Sequence, residues 1–179
     1  MDDGSGSLSS RELLRESVLP YLRNPVLNRL EDAARFPAGG GEFAFTTDAF
    51  VVSPIVFPGG DIGKLAVCGT VNDLAVMGAR PLALASALIL EEGFPRALLE
   101  RIVRSMGIWA KRAGVRIVAG DTKVVGKGNA DGIYISTSGV GRVIMKTPPA
   151  AERIRPGDRV ISSGTAGDHG LAILAARER

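Results

Sequence analysis

The sequence predicts an α+β fold, a mixed sheet of βαβαββ order with its helices packed on one face. Three observations point to it. The run Phe43–Ser53 is dominated by Phe, Thr and Val and is closed by Pro54, as a strand would be. Two stretches with apolar residues at helical spacing follow, each stopped by a glycine (Gly78, Gly114) and each leading into an apolar run. Gly132–Val143 then alternates in polarity as a further strand does.

Each element has a local reason. Residues 1–10 are polar and Gly/Ser-rich and read as a lead-in. Arg11–Leu22 places Leu13, Leu14, Val18 and Leu22 at helical spacing, and Asn24-Pro25 breaks it. After the first strand, Pro58-Gly59-Gly60 makes a turn and Asp61 is placed to cap a helix. The inward face of that helix is expected to hold Ile62, Leu65, Ala66, Gly69 and Asp73 or Leu74. Leu82–Leu90 is nearly all apolar, a strand buried on both faces or lying at an oligomer interface. Pro95 opens a second helix running through Leu98, Ile102, Met106 and Ala110. Val115–Ala119 reads as a short buried strand ending in Gly120-Asp121. Thr147-Pro148-Pro149 marks a boundary, followed by a turn and strand around Arg155–Val160 and a helix from Leu171. The expected parts are residues 1–40 (lead-in and helix), 41–147 (main domain) and 148–179 (linker and start of a second α/β domain).

With 45% hydrophobic residues but only 5% aromatics, the core must rest on Ala, Val, Leu and Ile. A net charge of +3 without any Lys/Arg block interleaved with aromatics gives no nucleic-acid footprint. The single cysteine, Cys68, rules out an internal disulfide and any Cys-based metal site, and reads as a small buried hydrophobe. The acidic N-terminus is no signal peptide, and Leu82–Leu90 is too short to span a bilayer. A soluble, cytoplasmic protein is expected.

The chemistry-bearing residues are mostly Asp. Asp48 closes a strand after Thr46-Thr47, where a carboxylate can face a ligand crevice and take Mg²⁺. Gly120-Asp121-Thr122-Lys123 repeats that pattern, with groups for metal, phosphate oxygen and phosphate charge. Asp73 follows Asn72 in mid-helix between apolar neighbours, an unfavourable place unless the side chain is bonded or ligating. Lys64 sits in a first helical turn, which an anionic ligand would rationalise. The plain alternatives are a capping Asp, an exposed helix face and a surface Lys. Asp32 and Gly4-Ser5-Gly6-Ser7 say little alone, although a Gly-Ser segment can fold over phosphates. Neither the P-loop nor the GxGxxG pattern is present. His169, in Gly167-Asp168-His169-Gly170, reads as structural.

Taken together, Asp32-Ala33-Ala34, TTDAFVVSP, FPGGDIGKLAVCGTVNDLAVMGARP, ILEEG, GDTKVV, DGIYI and GDHG resemble the HypE family of hydrogenase maturation factors. That family lies within the PurM-like (AIR synthetase-related) ATP-binding superfamily, and the match runs from about Leu13 to Ala176. The resemblance implies a PurM-like N-terminal domain that dimerises through its sheet and binds ATP with Mg²⁺ near that interface. Carried over by position, Asp32, Asp48, Asp73 and Asp121 form the metal group. Gly4, Ser5, Gly6, Lys64, Asn72, Thr122 and Lys123 serve the nucleotide and its phosphates. The implied reaction is ATP-dependent dehydration of an S-carbamoylated C-terminal cysteine to a thiocyanate, the source of an iron cyanide ligand in [NiFe]-hydrogenase. Implied partners are a second copy, a HypF-like carbamoyltransferase and a HypC–HypD-like complex. The chain ends Ala176–Arg179 without the family's terminal cysteine, so no catalytic residue is assigned and the chain alone is expected to be inactive. The alternatives are a non-catalytic dimerisation module, with Leu82–Leu90 at its interface, and another PurM-like ATP-dependent enzyme.

Overall fold

The structure, a computed structural model, describes residues 12–178. A helical arm comes first, a π-helical turn Leu14–Val18 running into Leu19–Leu22 and then a 3₁₀ turn Leu27–Arg29. The body contains β1 (Ala34–Ala38), β2 (Gly41–Phe50), the small hairpin β3 (Val56–Phe57) and β4 (Gly60–Asp61), and α1 (Ile62–Val76). After it come β5 (Ala79–Glu91), α2 (Arg96–Arg112), β6 (Arg116–Val125) and β7 (Ile133–Val143), with α3 (Asp168–Arg177) last. The main sheet is mixed, in the order β1-β2-β7-β5-β6, and only β5 and β6 are parallel. Among the described residues no helix is long and apolar enough to cross a membrane.

Both long helices cover one face of the sheet, as expected. Ile62, Ala66 and Val67 of α1 and Ile102, Met106 and Ala110 of α2 meet Leu84, Leu90, Ile133 and Ile135 of the sheet in one core. Asp61 caps α1 by accepting the Lys64 amide at 2.8 Å. Gly78, at φ 71°, ends that helix in the left-handed conformation that only glycine adopts freely.

The sequence reading needs four corrections here. The buried residues of α1 are Ile62, Gly63, Ala66, Val67, Thr70 and Leu74, a face turned slightly from the expected one, so that Ile62, Ala66 and Leu74 are buried and Leu65, Gly69 and Asp73 are half-buried at its border. The turn arises because α1 packs against α2 as well as the sheet. β1 was not expected, since Pro37 disfavours a strand interior; it survives because β1 is an edge strand. β6 is neither short nor buried: it runs ten residues and is exposed nearly throughout, because it forms the other edge. No strand forms near Val160, which is fully exposed.

The loop between β6 and β7 is clamped by Glu91. Its two carboxylate oxygens accept the amides of Gly128 at 2.6 Å and Gly132 at 3.1 Å. Those two bonds, Gly128 first, hold the Glu91 carboxyl below its usual value, and nearby Lys127 adds to the effect. A lowered folded-state pKa contributes stability that is present above the ordinary carboxylate range and is lost as pH falls through the folded value. Glu91→Gln is therefore expected to speed amide exchange in residues 126–132 at pH 7, with little change elsewhere. Exchange equal to that of the parent chain would show that the clamp does not order the loop.

The start of the expected second domain also contacts the body. The His169 ring meets Phe57 edge-on at 5.4 Å, and Arg177 Nε donates to the Ser53 carbonyl at 2.7 Å. His169 thus makes a packing contact.

Candidate functional site: a carboxylate group between β2 and α1

Strand alternation turns Thr46, Asp48 and Phe50 of β2 toward α1, and helical spacing places Thr70 and Asp73 on facing turns of α1. The contacts follow from this. Thr70 Oγ1 donates to Asp48 Oδ2 at 3.0 Å. Thr46 Oγ1 lies 3.2 Å from Asp73 Oδ2 and 2.9 Å from the Asp32 carbonyl, which ties the segment before β1 to the same point. Thr137 of β7 extends the chain of hydroxyls, meeting Thr70 Oγ1 and donating to the Ala66 carbonyl.

Asp73 feels the result. Burial, and then the charge of Asp48, push its carboxyl up to about 6; the Thr46 hydroxyl opposes this and Asp32 adds to it. A half-buried carboxylate beside two others is the kind of place a cation relieves. Among the described residues no three Asp, Glu, His or Cys side chains stand in a ready-made metal cage. Mg²⁺ does not need one, because it usually takes one or two carboxylates and completes its shell with water and phosphate oxygens. The all-oxygen donor set of Asp32, Asp48 and Asp73 therefore fits Mg²⁺ better than a softer metal.

The other sequence candidates lie elsewhere. Asp121 is within β6, in register with Ala87, so it is one residue out of phase with Ser86, which continues the row from Asp48 through Thr137. It therefore faces the opposite side of the sheet, three strands or roughly 14 Å from β2. Its Oδ1 accepts the Thr122 amide at 2.9 Å, and Lys123 beside it is exposed. Lys64 is at the far end of α1, where Nζ donates to the Gly59 carbonyl at 2.7 Å and sits 4.3 Å above the Trp109 ring. Asn72 is exposed. Gly4, Ser5 and Gly6 lie outside the described residues. Cys68 is half-buried; burial pushes its thiol up and Lys64 only partly offsets this, so it is no reactive thiolate.

The threonines are what sequence reasoning missed. Thr46, two residues before Asp48, and Thr70, three before Asp73, share those residues' strand and helix faces, and that spacing was the available signal. Beside the carboxylates a cleft of about 680 Å³ opens, walled by Leu27, Leu30, Ala34 and Phe45 with Asp32 and Thr46 at its margin.

Residues 30–143 match the AIR synthase related protein, N-terminal domain, a family that takes in the whole of the main sheet and α1 and α2. The chain belongs to that family. It is 55% identical over 177 residues to carbamoyl dehydratase HypE of Rhodobacter capsulatus, covering 97% of this chain and 52% of the relative. Among solved structures, a HypE–HypF complex matches with a TM-score of 0.87 at 52% identity, covering 93% of this chain and 53% of the other. A hydrogenase maturation protein HypE in complex with ATP matches with a TM-score of 0.76 at 50% identity, covering 99% and 52%. The chain thus spans about half the length of the curated relatives it matches.

Proposed function

We propose that this chain is the nucleotide-binding half of a HypE-like carbamoyl dehydratase, binding ATP with Mg²⁺ in the cytoplasm. The observation that carries this is the Asp73 carboxyl, pushed up to about 6 among Asp48 and Asp32 in a protein half identical to one solved with ATP. Asp32, Asp48 and Asp73 would hold Mg²⁺, and the adjoining apolar cleft would take the nucleoside end. The bound metal supplies charge screening for the phosphates. In the full reaction the carbamoyl oxygen takes the γ-phosphoryl group and leaves as phosphate. Two N–H protons are lost and a thiocyanate remains on the sulfur. Partners are a second copy, a HypF-like carbamoyltransferase and a HypC–HypD-like complex.

The placement of Asp121, Thr122 and Lys123 on an exposed sheet edge gives the dimer a role. These residues serve a site across the interface, against the Asp32–Asp48–Asp73 group of the other copy. Calorimetric titration of Mg-ATP into the chain is expected to show saturable, Mg²⁺-dependent binding. Asp48→Asn and Asp121→Asn chains are each expected to lose it, and mixing the two is expected to restore a fraction of the sites. Absence of binding by the parent chain would reject the nucleotide reading. Absence of restoration would place each site within one chain.

A further inference from the structure

Among the described residues one ion pair is nearly closed off from solvent: Glu31 and Arg35, whose side chains are 12% and 7% exposed. It is a poor bond. A single guanidinium nitrogen stands 3.5 Å from Glu31 Oε1, and Arg35 Nε is buried with no hydrogen-bond partner. The surroundings are apolar as well. Arg35 lies in register with Ala44, and Ala44 and Ala33 belong to a buried cluster with Leu74, Met77 and Ala79. A buried pair of this geometry does not regain what its two charges lose on leaving water. Stability is therefore no reason for it to be there.

The chain just before the pair is strained. Leu30 has φ 49°, in the left-handed region that a side chain of its size disfavours. Strain of this kind persists only where the surrounding structure imposes it. A strained turn and then a costly ion pair thus enclose one site candidate, Asp32.

Asp32 needs such support. It is exposed, and what fixes it is its backbone. Its carbonyl accepts the Thr46 hydroxyl at 2.9 Å, and that hydroxyl also stands 3.2 Å from Asp73 Oδ2. The Glu31–Arg35 pair closes the backbone around Asp32 into a loop, which sets the direction in which the carboxylate leaves the chain.

We propose that Glu31 and Arg35 are positioning residues for the cation site, their ion pair holding Asp32 so that its carboxylate faces Asp48 and Asp73. This deepens the metal part of the proposed function and rests on it, not on the nucleotide or the dimer. The pair touches no cation itself. It trades stability for a fixed ligand direction, as buried ion pairs that set register do.

The test titrates Mn²⁺ into the whole chain without nucleotide, the free ion being read by electron paramagnetic resonance. Mn²⁺ suits the same oxygen donors as Mg²⁺. The parent chain is expected to bind it saturably. Glu31→Leu together with Arg35→Met removes one charge of each sign and strands neither partner. That double variant is expected to keep or raise the metal-free Tm and to weaken Mn²⁺ binding by about tenfold or more. In a chain already carrying Asp32→Asn, the same double change is expected to cost no further affinity, because the pair acts through Asp32. Parent-like Mn²⁺ affinity in the double variant overturns the inference, and so does an equal loss with and without Asp32. A metal-free Tm lowered by more than about 5 °C overturns it too, since the pair would then be a prop of the fold. A parent chain that takes up no Mn²⁺ also overturns it, and the Mg-ATP titration then decides the proposed function by itself.

Discussion

Asp73→Asn is expected to remove Mg-ATP binding and at the same time to stabilise the metal-free fold at pH 7. The sign follows from the direction of the pKa. The Asp73 carboxyl titrates at about 6 in the folded chain against 3.8 ordinarily, so the folded state holds that proton more tightly than the unfolded one. Stability therefore falls as pH rises from about 4 through about 6, and above that range the ionised group is a standing cost. Asparagine keeps an oxygen to accept from Thr46 and carries no charge. Because Asp73 is partly open to water, the gain is small, a rise in Tm of about 2–4 °C. The loss of Mg²⁺ affinity is much larger, at least about 100-fold, since altering even the neighbours of a metal ligand costs 10- to 100-fold. In the parent chain Mg²⁺ affinity should fall as pH drops below about 6, because Asp73 takes up a proton there and a protonated carboxyl is a poor metal ligand. Thermal melts with and without Mg²⁺, alongside titrations at pH 5 and 7.5, check all of this. Retained affinity in the variant, or a lower Tm without metal, would show that Asp73 holds the fold together rather than a cation.

Much of the architecture was legible because local signals and packing agreed. Asp61 before an apolar periodic run gave the helix start, Gly78 its end, and the polarity of Gly132–Val143 the central strand β7. The edges of the sheet were less legible. β1 contains Pro37 and β6 exposes its residues to solvent, so neither carries the alternation that burial on one face imposes. The face of α1 was read slightly turned, since a helix packed against both a sheet and a second helix has no single apolar stripe. For the site, Asp48 and Asp73 were suspicious in the sequence alone, and the resemblance added Asp32. The hydroxyls of Thr46, Thr70 and Thr137 became visible only in three dimensions, because each bonds to a residue far away in the chain. The same separation hid the position of Asp121: strand order, which no local pattern encodes, sets it three strands from β2.

Gly63→Ala is expected to be among the most damaging single substitutions in the chain, though it adds one methyl group. An added Cβ would lie 2.5 Å from the Ile102 carbonyl oxygen and 2.9 Å from Met106 Cγ. A flexible side-chain end could swing away, but the carbonyl belongs to the backbone of α2 and cannot, so the two helices must separate. Ile102 and Met106 are both buried in the shared core, and separating the helices loosens their packing as well. Overpacking of this kind costs about 1–3 kcal/mol, which for a chain of this size lowers Tm by roughly 2–12 °C. α1 also carries Thr70 and Asp73, so its displacement should weaken Mg-ATP binding without touching any ligand. Gly107→Ala, in the facing helix, provides the control: its Cβ meets nothing, so the same change there should raise stability by up to about 1 kcal/mol through helix propensity alone. Thermal melts of the two variants should therefore move in opposite directions. If Gly63→Ala kept its Tm within about 1 °C of the parent, the helices would not be in the close contact described, and α1 would not be what fixes Asp73 against β2.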